Sequence, residues 1–175
     1  VVGLLLDESE YSPLDPGGAI VRIRLIAVGT RMPAWVETGY ETYARRMPRE
    51  CRLSLSEVPL PRRSKSNDPE RLKAREADSL LGLAGSDLTV ALDQRGNQID
   101  TPGLARRLGL WLQDGRNISL LIGGPDGLHP RCLERADWVW SLSALTLPHP
   151  LVRVVVAEQC YRAWCVLRGH PYHRD

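Results

Sequence analysis

A chain of 175 residues, 43% hydrophobic and 25% charged, has the size and balance of one ordinary globular domain and can bury a sizeable core. No apolar run approaches the ~20 residues needed to span a bilayer, and no basic-then-apolar secretory start is present, so a soluble, cytoplasmic protein without a membrane partner is expected. The formal charge of +2 hides an asymmetry: the first twenty residues contribute only Asp7, Glu8, Glu10 and Asp15, which leaves 23 basic against 17 acidic side chains in the rest, a balance suited to a polyanionic partner.

Residues 1–20 read as an appendage. Residues 1–6 are apolar and 7–18 are rich in acids and turn formers, so the segment is expected to lie outside a single domain spanning 21–175. From Val21 the pattern alternates between strand and helix. Val21, Ile23, Leu25 and Ala27 alternate with Arg22 and Arg24, which predicts a first strand. Trp35, Val36, Tyr40 and Tyr43 follow helical spacing after Pro33, and Cys51, Leu53 and Leu55 alternate with polar residues as a second strand. A polar loop over 59–68 ends in Asp68-Pro69, the signature of an N-cap followed by proline in the first turn of a helix running to about 83.

Further on, the pattern predicts strands at 88–93, 117–122 and 138–142, and helices at 101–113, 130–136 and 151–168. Strands alternating with helices throughout imply an α/β fold with a mainly parallel five-stranded sheet covered on both faces. His129 sits where a loop or cap residue belongs. Cys51, Cys132, Cys160 and Cys165 show neither Cys-x-x-Cys pairing nor zinc-ligand spacing, so reduced thiols and no metal are expected.

Two loops then stand out. Ile118 to Ile122 runs into Gly123-Gly124-Pro125-Asp126-Gly127, and Ser141-Leu142-Ser143-Ala144-Leu145-Thr146-Leu147-Pro148-His149-Pro150 launches the last helix. The glycine turn fits neither phosphate-loop pattern and by itself is an ordinary strand-to-helix connection. Paired loops at the carboxyl ends of neighbouring strands are nevertheless where open α/β sheets bind small molecules. In the last helix, Arg153, Glu158 and Arg162 interrupt a largely apolar surface; Glu158 and Arg162 can form an ordinary i,i+4 pair or a partly desolvated network. The tail His170-Pro171-Tyr172-His173-Arg174-Asp175 is either a frayed terminus or a set of groups suited to a base and its phosphate. Arg45, Arg46, Arg49 and Arg52, with Arg62, Arg63 and Lys65, form two basic clusters that read as a solvated face or as phosphate contacts.

Taken together, Ala27-Val28-Gly29-Thr30, the 121–127 and 142–149 loops, Arg153, Glu158, Tyr161-Arg162-Ala163-Trp164 and the 170–174 tail resemble the ribosomal RNA large subunit methyltransferase H family of SPOUT, or α/β-knot, methyltransferases, from about Val21 to Asp175. The resemblance implies a C-terminal trefoil knot, a homodimer, and transfer of a methyl from S-adenosyl-L-methionine to N3 of pseudouridine 1915 in helix 69 of 23S rRNA within the ribosome. Another rRNA or tRNA site, or a non-catalytic ribosome-binding role, is the alternative. Carried over by position, Leu92, Gly123, Leu142, Ser143, Ala144, Leu145, Thr146 and Leu147 would hold the cofactor. Arg153, Tyr172, His173 and Arg174 would meet the substrate, and Arg153, Glu158 and His173 would serve catalysis.

Overall fold

The computed structural model describes residues 20–62 and 68–174, the last two by backbone alone. Residues 1–19, and with them almost all of the expected leader, lie outside the described residues, as do Arg63 and Lys65. The chain alternates as β1 (Ile23–Val28), α1 (Ala34–Ala44), β2 (Leu53–Val58), α2 (Pro69–Ala84), β3 (Leu88–Asn97), α3 (Thr101–Asp114), β4 (Ile118–Ile122), α4 (Pro130–Arg135), β5 (Trp138–Trp140) and α5 (His149–Leu167). All strand pairs are parallel, in the order β2-β1-β4-β3-β5. The sheet therefore carries its connections as helices, as parallel pairing requires.

Strand alternation sorts the core into two layers. Ile23, Leu25, Leu120 and Val90 point toward α1, α3 and α5, where Tyr40, Leu108, Val156 and Cys160 meet them. Ile26, Val28, Leu121 and Ala91 point the other way, onto Ala77 and Leu80 of α2 and Cys132 of α4. Both faces of β4 are thus covered, and all five of its residues are buried. This is why its sequence is an unbroken apolar run except for Ser119, whose hydroxyl donates to Asp87 at 2.7 Å.

Local chemistry sets the helix ends. Asp68 accepts the Glu70 N–H at 3.0 Å with Pro69 in the first turn, as the sequence predicts. Asp100 does the same for Gly103 at 2.8 Å, and Gly115 closes α3 in the left-handed region at φ 74°. His129 caps α4, its Nδ1 accepting from the Arg131 N–H at 3.2 Å. Cys51 is a departure: it belongs to a 3-10 turn, Arg49–Cys51, so β2 begins only at Leu53.

The largest departure concerns β3 and β5. The sequence signal for β3 ends at Asp93, where the apolar residues stop, but the strand continues to Asn97, which pairs with Trp140. β5 is correspondingly short, ending at Trp140 rather than 142, and α5 begins at His149 rather than 151. Gly96 makes the extension possible. A Cβ on it would stand 2.6 Å from the Val139 carbonyl oxygen, so only glycine lets the two backbones approach this closely.

Gly96→Ala is expected to destabilise the protein by about 1–3 kcal/mol, because backbone rather than a flexible side chain must move. Gly82→Ala, exposed in α2 with open space at its Cβ position, is expected to stabilise by about 0.5 kcal/mol through the better helix propensity of alanine. Urea unfolding midpoints for the two variants check the pair.

Candidate active site

The carboxyl ends of β3, β4 and β5 lie side by side and open onto a cavity of about 780 Å³. Its size is that of a site for a nucleoside-like or drug-sized ligand. Leu92 at the end of the buried part of β3, Ile122 and Gly123 after β4, and Trp140 of β5 form the floor. The loop between β5 and α5 forms a wall through Leu142, Ser143, Leu145, Thr146 and Leu147. Seven of the eight cofactor positions named from the resemblance therefore meet in one cavity. Ala144 is exposed on the same loop and does not line it.

Two tight turns shape the rims. Gly124 and Gly127 form an antiparallel bridge, with the Gly127 N–H donating to the Gly124 carbonyl at 3.0 Å and Gly127 at φ 76°. A Cβ on Gly123 would stand 2.5 Å from the Gly127 carbonyl carbon. The need for glycine at 123 thus arises from the loop folding on itself, a constraint already present without any ligand. Across the cavity, Ser143 accepts the Leu145 N–H at 3.0 Å, and Ser141 donates to the Ser143 carbonyl at 3.0 Å. The Thr146 hydroxyl donates to Gln94 at 3.0 Å, tying the loop to the extension of β3.

His149, the first residue of α5, also lines this cavity, and sequence reasoning passed over it. Both of its ring nitrogens are buried and have no hydrogen-bond partner among the described residues. Burial, reinforced by the neighbouring Arg153 charge, holds its pKa below the ordinary histidine value and the ring neutral at pH 7. The signal available in sequence was a histidine fixed between Pro148 and Pro150 at a helix start.

One turn further along α5, Arg153 is only 1% exposed. Its guanidinium donates to Glu57 at 2.6 Å and to the carbonyls of Val28 and Gly29 at 3.1 and 2.6 Å. It therefore joins α5 to the carboxyl ends of β1 and β2, and explains why the 27–30 motif and Arg153 belong together. It lines a second, smaller cavity of about 270 Å³ with Met32, Tyr40 and Glu57.

Glu158 and the tail form a third group. Glu158 accepts from Arg162 at 2.7 Å, from Gln159 at 2.5 Å and from the Tyr172 hydroxyl at 3.2 Å. Tyr172 packs on Tyr161 with ring centroids 4.9 Å apart, and Arg162 lies 4.8 Å over its ring. Burial first, then Tyr43 and Glu158, pushes the Tyr172 phenol up to about 12. The tail is tied down as far as Tyr172; the side chains of His173 and Arg174 lie outside the described residues. Glu158 lies nine residues beyond His149, roughly 14 Å along a helix, and neither it nor Tyr172 lines the 780 Å³ cavity.

Arg46 of the basic cluster lies 5.8 Å over the Tyr161 ring, and Arg45 pairs with Glu41. The four cysteines are buried, and burial raises every thiol pKa, that of Cys132 to about 11 and of Cys160 to about 12. They are protonated at neutral pH and supply no thiolate nucleophile. Among the described residues no group of three or more histidine, cysteine or acidic side chains is placed to hold a metal ion, and no helix is long and apolar enough to cross a membrane.

A cavity at the carboxyl ends of three adjacent parallel strands is lined by residues of the 123–128 and 142–150 stretches, and comparison with known proteins gives the family of the chain. The family model "Predicted SPOUT methyltransferase" matches residues 21–173. Among solved structures, a probable methylase family protein from Haemophilus influenzae superimposes with a TM-score of 0.55 at 16% identity, over 87% of this chain and 70% of its own. A probable methyltransferase from Bordetella pertussis gives 0.54 at 18% identity, over 82% and 96%. The chain is thus a methyltransferase of the SPOUT class, whose methyl donor is S-adenosylmethionine. Within that class it belongs to the ribosomal RNA large subunit methyltransferase H family: the Hahella chejuensis protein of that name is 54% identical over 89% of this chain and all of its own length, and the Alkalilimnicola ehrlichii protein 57% identical over 88% and 99%. The residues present fit that donor. Apolar side chains and loop backbone suit an adenosine, and the unpartnered ring nitrogens of His149 leave hydrogen-bonding capacity at the cavity wall.

Gly123→Val is expected to abolish S-adenosylmethionine binding in calorimetry and to lower the melting temperature, because the added atoms collide with the Gly127 and Leu128 backbone. Arg153→Met is expected to cost about 2–3 kcal/mol in urea unfolding. It strands two buried carbonyls and the carboxylate of Glu57, whose partial exposure moderates the loss.

Proposed function

We propose that this protein methylates N3 of pseudouridine 1915, in helix 69 of 23S rRNA within the cytoplasmic ribosome, as a homodimer. The observation that carries the reading is the gathering of Leu92, Gly123 and the 142–147 loop around one nucleoside-sized cavity in a chain whose relatives are named ribosomal RNA large subunit methyltransferase H. When bound there, S-adenosylmethionine supplies an electrophilic methyl group on a sulfonium.

The chain's own task is to hold the donor, bring an imide nitrogen into line and take its proton. Leu92, Leu142, Leu145 and Leu147 give the apolar walls, and the main chain around Gly123 and of the 142–147 loop offers hydrogen bonds to the adenine edge. Ala144, exposed on that loop, contributes through its backbone. Tyr172, His173 and Arg174 meet the target base and its phosphate, and Glu158 or His173 accepts the N3 proton. Arg153 acts by position: its bonds to Gly29 and Glu57 hold α5 against the sheet, so its charge biases the site from within the protein.

Glu158 and Tyr172 stand away from the cavity of their own chain. In a homodimer built on the partly exposed valines and Trp164 of α5, this group faces the cavity of the partner. The C-terminal trefoil threading belongs to the same reading. The basic residues Arg45, Arg46, Arg49 and Arg52 then supply phosphate contacts that orient the rRNA without reading its sequence.

Mass spectrometry of rRNA from a strain lacking the gene is expected to show loss of one methyl at a single pseudouridine; loss at another rRNA or tRNA nucleotide would redirect the substrate. Removing residues 172–175 is expected to leave S-adenosylmethionine affinity within about twofold while lowering methyl transfer to ribosomes by about 100-fold or more. Wild-type transfer by the truncated enzyme would make the tail an ordinary terminus.

A further inference from the structure

One polar side chain in the cavity wall has no hydrogen-bond partner among the described residues. Both nitrogens of His149 are buried without a hydrogen-bond partner among the described residues, although the ring borders the 780 Å³ cavity. An unsatisfied buried polar group costs about 1–3 kcal/mol, and such a group at a cavity wall is explained when a ligand completes it. Its surroundings narrow the chemistry of that ligand. Burial first, and then the charge of Arg153 one turn along α5, disfavour the imidazolium, so the imidazole is neutral and offers one donor and one acceptor.

A carboxylate would favour the imidazolium that this environment disfavours, and an ammonium or sulfonium would sit beside the Arg153 charge. The adenine ring suits the apolar 142–147 loop, which precedes His149 in the chain. What is left is a hydroxyl pair, each member able to donate and accept.

We propose that His149 hydrogen-bonds the ribose diol of S-adenosylmethionine, making it the side chain by which this otherwise backbone-lined site recognises the sugar. The inference rests on the cofactor part of the functional reading and is independent of which nucleotide is methylated. It also accounts for Pro148 and Pro150: two flanking prolines restrict the backbone on which the ring is carried, so that little freedom is lost when a ligand binds.

Calorimetry with S-adenosylhomocysteine and with its 2′-deoxy and 3′-deoxy analogues tests this on the wild-type protein, His149→Phe and His149→Ala. The wild type is expected to bind the parent compound and to lose about five- to tenfold in affinity when the contacted hydroxyl is missing. Both variants are expected to bind the parent about five- to tenfold more weakly and to show no preference between parent and deoxy compounds. His149→Phe should not lower the melting temperature of the ligand-free protein, since it removes an unsatisfied polar group from a buried site.

Unchanged affinity in both variants overturns the proposal. So does weakened affinity with the preference for the diol intact, or a fall in the ligand-free melting temperature with the diol preference retained, because each makes the ring structural. A wild-type chain that binds no S-adenosylhomocysteine overturns the cofactor assignment and this inference with it, and is thereby told apart from failure of the His149 contact alone.

Discussion

A guanidinium sealed inside the protein sets the geometry on which the site depends. Arg153 is too costly to bury unless each end of its charge finds a partner, and it finds them in Glu57 of β2 and the last carbonyls of β1. Those bonds fix the amino-terminal half of α5 against the carboxyl edge of the sheet. That is the same half that carries His149 and closes one side of the 780 Å³ cavity. Gly39 of α1 adds to the packing, because a Cβ there would stand 3.0 Å from Val154 Cγ1. The α5 side of the cavity is therefore tied to the core behind it, which suits a site in which binding energy must go into alignment rather than ordering.

The cavity itself is built mostly from backbone and apolar side chains. Glycine at 123 and 127 lets the loop after β4 turn back on itself, while Ser141, Ser143 and the Thr146–Gln94 bond hold the facing loop. This division explains why no acidic fingerprint or phosphate-loop motif marks the chain. A cavity shaped by backbone constrains the size of each residue more than its side-chain chemistry, so its trace in a sequence is a set of glycines, small residues and leucines.

The carboxyl-terminal half of α5 serves a different purpose. Glu158 is held by Arg162, Gln159 and Tyr172 at once, and the raised phenol of Tyr172 keeps that hydroxyl a donor at any physiological pH. A carboxylate positioned by three donors, next to a tail anchored by aromatic packing, is a preorganised surface rather than a frayed end. This group stands apart from the 780 Å³ cavity of its own chain.

Much of the architecture was legible because it rests on local rules. Alternation in β1, the apolar run of β4, Asp68-Pro69 before α2 and the capping place of His129 each follow from periodicity or from one side chain satisfying one backbone group. The loops around Gly123 and 142–147 were readable from their motifs and from the resemblance those motifs carry. Long-range pairing was not. That β3 runs on to Asn97 depends on Gly96 lying against Val139, and that Cys51 leaves β2 depends on the 3-10 turn before it. Sequence shows Arg153 only as a charge on the last helix and His149 only as a ring in the loop before it; tertiary structure alone decides that the first is sealed inside the protein with both terminal guanidinium nitrogens bonded and the second is left facing a cavity, because burial and partnership are properties of what the rest of the chain brings near.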